Sequence, residues 1–265
     1  MLRVLALLLL STPLLAEEVQ VAPGAGTLAA AIAGASPGDV LVLSDGAYLG
    51  PVTIDRTLTL QGDGTATIDG QGQGTVVTIT GDDVVLTGLH VTGSGASNQD
   101  LDAGIKIVKG ADRARIERNR LTDNMHGIDV HGGLDTQVLR NVIEGRRNPR
   151  MNERGNGIYV WNSPGTVVEG NSVRWGRDGI FSNASKTGIY RNNLFRDLRF
   201  AVHYMYTHDS TVSGNISIGN HLGFAIMFSD RVVLTDNLSL GDREHGVMLN
   251  FANGADVAGN LVRGG

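Results

Sequence analysis

From about Asp39 onward, apolar residues come in short runs that alternate with polar ones and end at Gly, Asn or Asp. Alternation over so few residues is a strand signal, and no 3.6-residue periodicity competes with it. The runs repeat. Asn is followed by a short run containing apolar residues at Asn119, Asn141, Asn171, Asn193, Asn215, Asn237 and Asn260, with gaps of 22, 30, 22, 22, 22 and 23. The 30 is the same period enlarged by an eight-residue insert, "RRNPRMNE", Arg146 to Glu153. A period near 22 with Gly/Asn corners predicts stacked coils of three strands each. The dense leucine pattern of leucine-rich repeats is missing. The expectation is an all-β, right-handed parallel β-helix of about ten coils, with a short capping helix from Thr27 to about Ala33 covering the first open edge.

The same pattern assigns faces. Three residues before each Asn stand Ile116, Val138, Val168, Tyr190, Val212, Leu234 and Val257, which should point into the core. Inward Asn amides in coils about 4.8 Å apart can hydrogen-bond up the stack, a structural role. A second strand in each later coil opens with Gly or Ala: "GIDVH", "GIYVW", "GIFSN", "AVHYM", "AIMFS" and "GVMLN". Its uniformly aliphatic second column, Ile128, Ile158, Ile180, Val202, Ile226 and Val247, should be core, so the third and fifth columns should face out. They read Asp129, Tyr159, Phe181, His203, Met227, Met248 and His131, Trp161, Asn183, Met205, Ser229, Asn250. Aromatic, imidazole and thioether groups stand where a solvated face would carry Lys, Glu and Thr, which marks an interaction surface. This alignment puts Met227 and then Met248 beside His203, with Met205 two residues along. His208 and His245 fall on nearby corners. Such a set suits Cu(I), because thioether and imidazole ligands favour a soft ion over Mg or Ca. The competing reading packs both methionines beneath the following loop. The insert, basic through Arg146, Arg147 and Arg150 and with one soft donor in Met151, is either a solvated loop or a docking or metal-relay loop.

Composition narrows the class. The start, "MLRVLALLLLSTPLLAEE", has one Arg, an apolar run too short to span a membrane and a small residue at Ala16, the pattern of a secretory signal peptide (1–16) cleaved there. The expected mature domain is 17–265. An exported chain with no Cys forms no disulfides and offers no thiolate ligands. With 22 basic and 27 acidic residues it advertises no nucleic-acid surface.

"RMNERGNGIYVWNSPG", "GRDGIFSNASK", "RFAVHYMYTHDS", "GNHLGFAIMFSD" and "HGVMLNFAN" resemble the NosD family, and the N-terminal "PGAGTLAAAIAGASPGDVLVLSDGAYLGPVTIDRTLTLQGDG" is similar to the corresponding region of that family. The resemblance implies a periplasmic, non-enzymatic copper-binding protein of the carbohydrate-binding and sugar-hydrolase repeat class. It also implies a role in assembling the copper–sulfide centre of nitrous oxide reductase. The implied partners are a NosF/NosY-type ABC transporter, the copper lipoprotein NosL and the reductase. Under this reading His203, Met205, His208, Met227, His245 and Met248 transiently hold Cu(I). Tyr159, Trp161, Phe181, Arg146, Arg147, Arg150 and Met151 form the partner surface. Members of the family usually run on for further coils where this chain stops at "NLVRGG", part-way through a coil; a truncation, a partial gene and a shorter variant are alternative readings of that departure.

Two alternatives stay open. A polysaccharide lyase or glycosidase is possible on the same fold. Asp129 and Asp178 are its candidate carboxylates, although they occupy different coils and strand offsets, and Arg177–Asp178 reads more simply as a corner ion pair. A carbohydrate-binding module is the other, with Tyr159, Trp161 and Phe181 as an exposed, coplanar stacking shelf.

Overall fold

The computed structural model describes residues 16–148 and 150–264. The expected signal peptide lies, except for Ala16, outside the described residues. Glu18 to Arg263 form three parallel sheets of 11, 10 and 9 strands that wind as a β-helix of about eleven turns. The first sheet starts at Glu18–Val21, the second at Gly46–Leu49 and the third at Val52–Ile54. A helix, Thr27–Gly34, presses the buried Leu28 and Ile32 against the first coil. Among the described residues no helix is long and apolar enough to cross a membrane.

The core is the column structure expected from the period. Ile116, Val138, Val168, Tyr190, Val212 and Leu234 pair rung to rung in the first sheet and are wholly buried; Val257, on the outermost rung, is 43% exposed. Beside them runs the Asn ladder. Each Asn Nδ2 donates to the next Asn Oδ1, at 2.9–3.2 Å, from Asn119 to Asn260. The same Oδ1 accepts the backbone N–H of the preceding Asn, so each amide satisfies backbone groups that the turn would otherwise leave buried and unpaired. A hydroxyl ladder does similar work at another corner, where Ser163 N–H donates to Ser185 Oγ (3.1 Å) and Thr207 N–H to Ser229 Oγ (3.0 Å).

In six coils of the third sheet a Gly stands where a Cβ would crowd its neighbours, and Ala201 takes that place in a seventh. A Cβ on Gly179 would lie 2.4 Å from Phe195 Cδ1 and 2.5 Å from the Ala201 carbonyl oxygen. Gly179 and the following Ile180 are both buried.

Two long connections leave the corner between the second and third sheets. One is 94–102; the other is the eight-residue insert, which contains a 3-10 turn, Met151–Glu153. Arg146 ties them together, its Nη2 donating to the Ser94 carbonyl at 2.6 Å and its Nε to Asp123 Oδ1 at 3.1 Å.

Candidate functional site: the outer face of the third sheet

Strand register fixes which outward side chains are neighbours. One column runs Lys106, Asp129, Tyr159, Phe181, His203, Ala225, Met248, and the other Val108, His131, Trp161, Asn183, Met205, Met227, Asn250. This corrects the alignment read from the sequence. Ala225, not Met227, sits beside His203, and Met227 pairs with Met205. "GFAIM" contains two small–apolar pairs, Gly223–Phe224 and Ala225–Ile226, and the fold uses the first to open the strand. A slip of two residues leaves every side chain on its original face. Phe224 and Ile226 are therefore both buried, and Met227 remains half-exposed on the outside. Ser229, placed in the outward column by the same slip, is instead buried in the hydroxyl ladder.

The corrected register gives a different donor constellation. Met205 and Met227 are direct cross-strand neighbours. Ala225 lies between His203 and Met248 along the stack, with Met227 two residues on. Its small methyl is wholly buried, so the larger side chains around it close over a floor that fills little space. His208 and His245 stand off this arrangement. His208 lies past the corner, its Nδ1 accepting the Asp230 N–H at 3.0 Å, and His245 is exposed opposite Leu222. Among the described residues, no three His, Asp or Glu side chains form a group able to hold a metal ion.

His203 is held in place. Its Nδ1 donates to Asp178 Oδ2 at 3.1 Å, its ring stacks on Phe181 at 4.8 Å, and Phe200 lies against it at 4.7 Å. Asp178 takes a two-pronged contact from Arg199 Nε and Nη2, at 2.8 and 2.6 Å. Burial raises the Asp178 carboxyl, but the hydrogen bonds and charges of His203 and Arg199 outweigh it and hold the pKa below the usual carboxylate value. With Nδ1 as the donor, the neutral ring carries its lone pair on Nε2, which makes no hydrogen bond among the described residues. A carboxylate behind an imidazole is the arrangement that orients metal-ligating histidines. The sequence reading missed it, pairing Asp178 with Arg177. Asp178 instead reaches one coil forward, and Arg177 Nε is buried without a hydrogen bond. The available signal was the 21-residue separation of Asp178 and Arg199, close to one period.

The aromatic groups form stacks along the axis. Tyr159 and Phe181 lie 5.3 Å apart at 6°, and His131 and Trp161 4.4 Å apart at 24°. Rings that cover one another do not offer the open coplanar faces that a sugar-stacking shelf requires. Asp129 is wholly buried, with Lys106 Nζ at 3.4 Å and His131 Nδ1 at 3.6 Å, and neither of its oxygens makes a hydrogen bond. Asp129 and Asp178 are thus both closed to solvent, a poor arrangement for attacking a polymer. The pKa of His126 is pushed down to about 4, chiefly by burial. In the insert, Arg147 lies over the Trp175 ring at 5.0 Å, Arg150 is exposed, and Met151 is half-buried in the 3-10 turn.

By architecture the molecule is a parallel β-helix of the kind found in polysaccharide-degrading proteins. An alginate lyase from Paenibacillus sp. strain FPU-7 superimposes with a TM-score of 0.72 at 19% identity, covering 94% of this chain and 98% of that one. A pectate lyase gives 0.63 at 17% identity, covering 89% of this chain and 78% of the lyase. These likenesses concern the fold. Sequence goes further: residues 139–265 match the family model described as NosD, periplasmic copper-binding protein. The chain is 33% identical over 220 residues to a probable ABC transporter binding protein NosD of Stutzerimonas stutzeri, and 34% identical over 222 residues to that of Pseudomonas aeruginosa. These alignments cover 83% and 84% of this chain but 50% and 52% of the relatives, so the chain spans about half their length. The chain is thus similar to NosD proteins over most of its length, and to the family model over its C-terminal part.

Proposed function

We propose that this protein is exported to the periplasm, with cleavage near Ala16, and that it binds Cu(I) on the outer face of the third sheet as a carrier rather than an enzyme. His203 Nε2 and the Met227, Met205 and Met248 thioethers are the donors of this reading; His208 and His245 lie off it and serve at most as outlying ligands. The observation that carries it is the Asp178–His203 pair. It fixes the imidazole on a strand whose next outward residue, Met205, pairs with Met227 across the rung, and among the described residues no group of three His, Asp or Glu side chains competes for a metal ion. Thioethers bind Cu(I) without a proton to displace and release it readily, as delivery requires. The family description supports copper as cargo, and the relatives' name supports association with an ABC transporter. We extend this to a NosF/NosY-type transporter, to a copper lipoprotein of the NosL kind as donor, and to nitrous oxide reductase as recipient, whose copper–sulfide centre the protein would help assemble. The stacked Tyr159, Phe181 and Trp161 would support the donors and border the partner contact.

The test is anaerobic competition for Cu(I) against a chromogenic chelator. His203→Ala and Met227→Leu should each weaken retention by at least about tenfold. Asp178→Asn, which touches no metal in this reading, should weaken it by about 10–100-fold through loss of the orienting carboxylate. Retention like that of the unmodified protein in His203→Ala and Met227→Leu would remove these ligands.

A further inference from the structure

Where eight extra residues break the repeat, the surface is locally basic although the whole chain has a net charge of −5. Two cavities, of about 520 and 230 Å³, flank Trp175 and share Arg147 as a common wall. Arg120 and Arg146 also line the larger; Arg154, Arg243, Met151 and one acid, Asp197, also line the smaller. The acids of the larger cavity are already committed. Glu144 accepts from Arg120 at 2.8 Å and from Arg174 at 2.7 Å, and Asp123 from Arg146 at 3.1 Å. Arg147 and Arg243 have no carboxylate partner among the described residues.

Trp175 is itself anomalous. It is the first residue after a second-sheet strand and has φ +63. In other coils that left-handed position is taken by Asp123, Asp197, Gly219 and Gly241, residue types that tolerate it. A bulky side chain there is strained by about 1–2 kcal/mol. The indole nevertheless stands half-exposed, with the Arg174 guanidinium 3.9 Å and the Arg147 guanidinium 5.0 Å from its centre.

We propose that this corner docks an acidic segment of a partner protein. Carboxylates of the segment enter the two clefts onto Arg147 and Arg243, and one apolar side chain packs on Trp175 and Met151. Planar guanidinium forks match carboxylates two bonds at a time. The clefts are parted by Trp175 at a corner and do not run together along a sheet face, so they suit separate side chains better than a continuous anionic polysaccharide. The surface lies off the Met and His face, so this inference stands apart from the copper reading.

A dye-labelled Glu-rich peptide containing one Leu tests it by fluorescence anisotropy, with a Gln-for-Glu counterpart as control. Saturable binding that weakens with added salt is expected, with the Gln peptide at least about tenfold weaker. Arg147→Glu and Arg243→Glu should each lose about tenfold, while Arg113→Glu, whose guanidinium pairs with Asp82 and Asp83 on the first sheet's side, should bind like the parent. Exposed Arg243 carries the test alone should Arg147→Glu fail to fold by circular dichroism. Absence of saturation, parent-like binding in Arg243→Glu, or displacement by oligoguluronate or anionic vesicles more effective than by unlabelled peptide would each overturn the assignment. Cu(I) retention in Arg243→Glu should stay at the parent level, which separates failure here from failure of the copper site.

Discussion

Replacing Asn193 by Ala removes one link from the middle of the amide ladder. Its Oδ1 accepts the Asn171 N–H at 2.9 Å and Asn171 Nδ2 at 3.0 Å; its Nδ2 donates to the Val168 carbonyl and to Asn215 Oδ1, both at 2.9 Å. All of these groups are buried. The Asn171 N–H would be left with no acceptor, a loss of about 1–3 kcal/mol, while the three remaining bonds contribute roughly 0.5–1.5 kcal/mol each. Asn171 Nδ2 retains the Val138 and Glu169 carbonyls, and Asn215 Oδ1 retains the Asn193 N–H, which holds their share to the low end. The sum is about 4 kcal/mol. In urea the unfolding midpoint should fall by roughly 1–2 M, with circular dichroism as the probe. Asn260→Ala, at the half-exposed end of the same ladder, should cost clearly less, because water replaces the lost partners of Asn237. A destabilisation below about 1 kcal/mol for Asn193→Ala, or equal costs at the two positions, would refute the view that burial makes these amides essential.

Two further outcomes follow from burial. His126 has its folded pKa pushed from 6.5 down to about 4, so between those values the unfolded chain takes up a proton that the folded chain refuses. Stability should therefore decline as pH falls through that window, by about 3 kcal/mol at most, and His126→Gln should flatten the profile of thermal midpoint against pH over the same range. Gly179→Ala places a methyl 2.4 Å from Phe195 Cδ1 and should destabilise by more than about 2 kcal/mol by urea titration. The mirror change Ala201→Gly, in the same column one coil on, should cost only about 1 kcal/mol.

The period, the inward columns and the Asn ladder were legible in the sequence because each is written as a spacing. A residue that recurs every coil meets its own copy about 4.8 Å away, so position in the repeat already names its neighbour. Ile116 to Leu234 and Asn119 to Asn260 were assigned correctly for that reason. The face of His203, Met205, Met227 and Met248 was also readable, because alternation alone decides it. Tertiary structure decided what alternation cannot. A two-residue slip preserves every face, so only the folded register could seat Ala225 beside His203 and Met227 beside Met205. Contacts that cross rungs obliquely, such as Asp178 to Arg199 and His203, or Arg147 to Trp175, depend on side-chain torsions and on where two irregular loops leave a corner. Those are set by packing among residues distant in the chain, and no spacing rule encodes them.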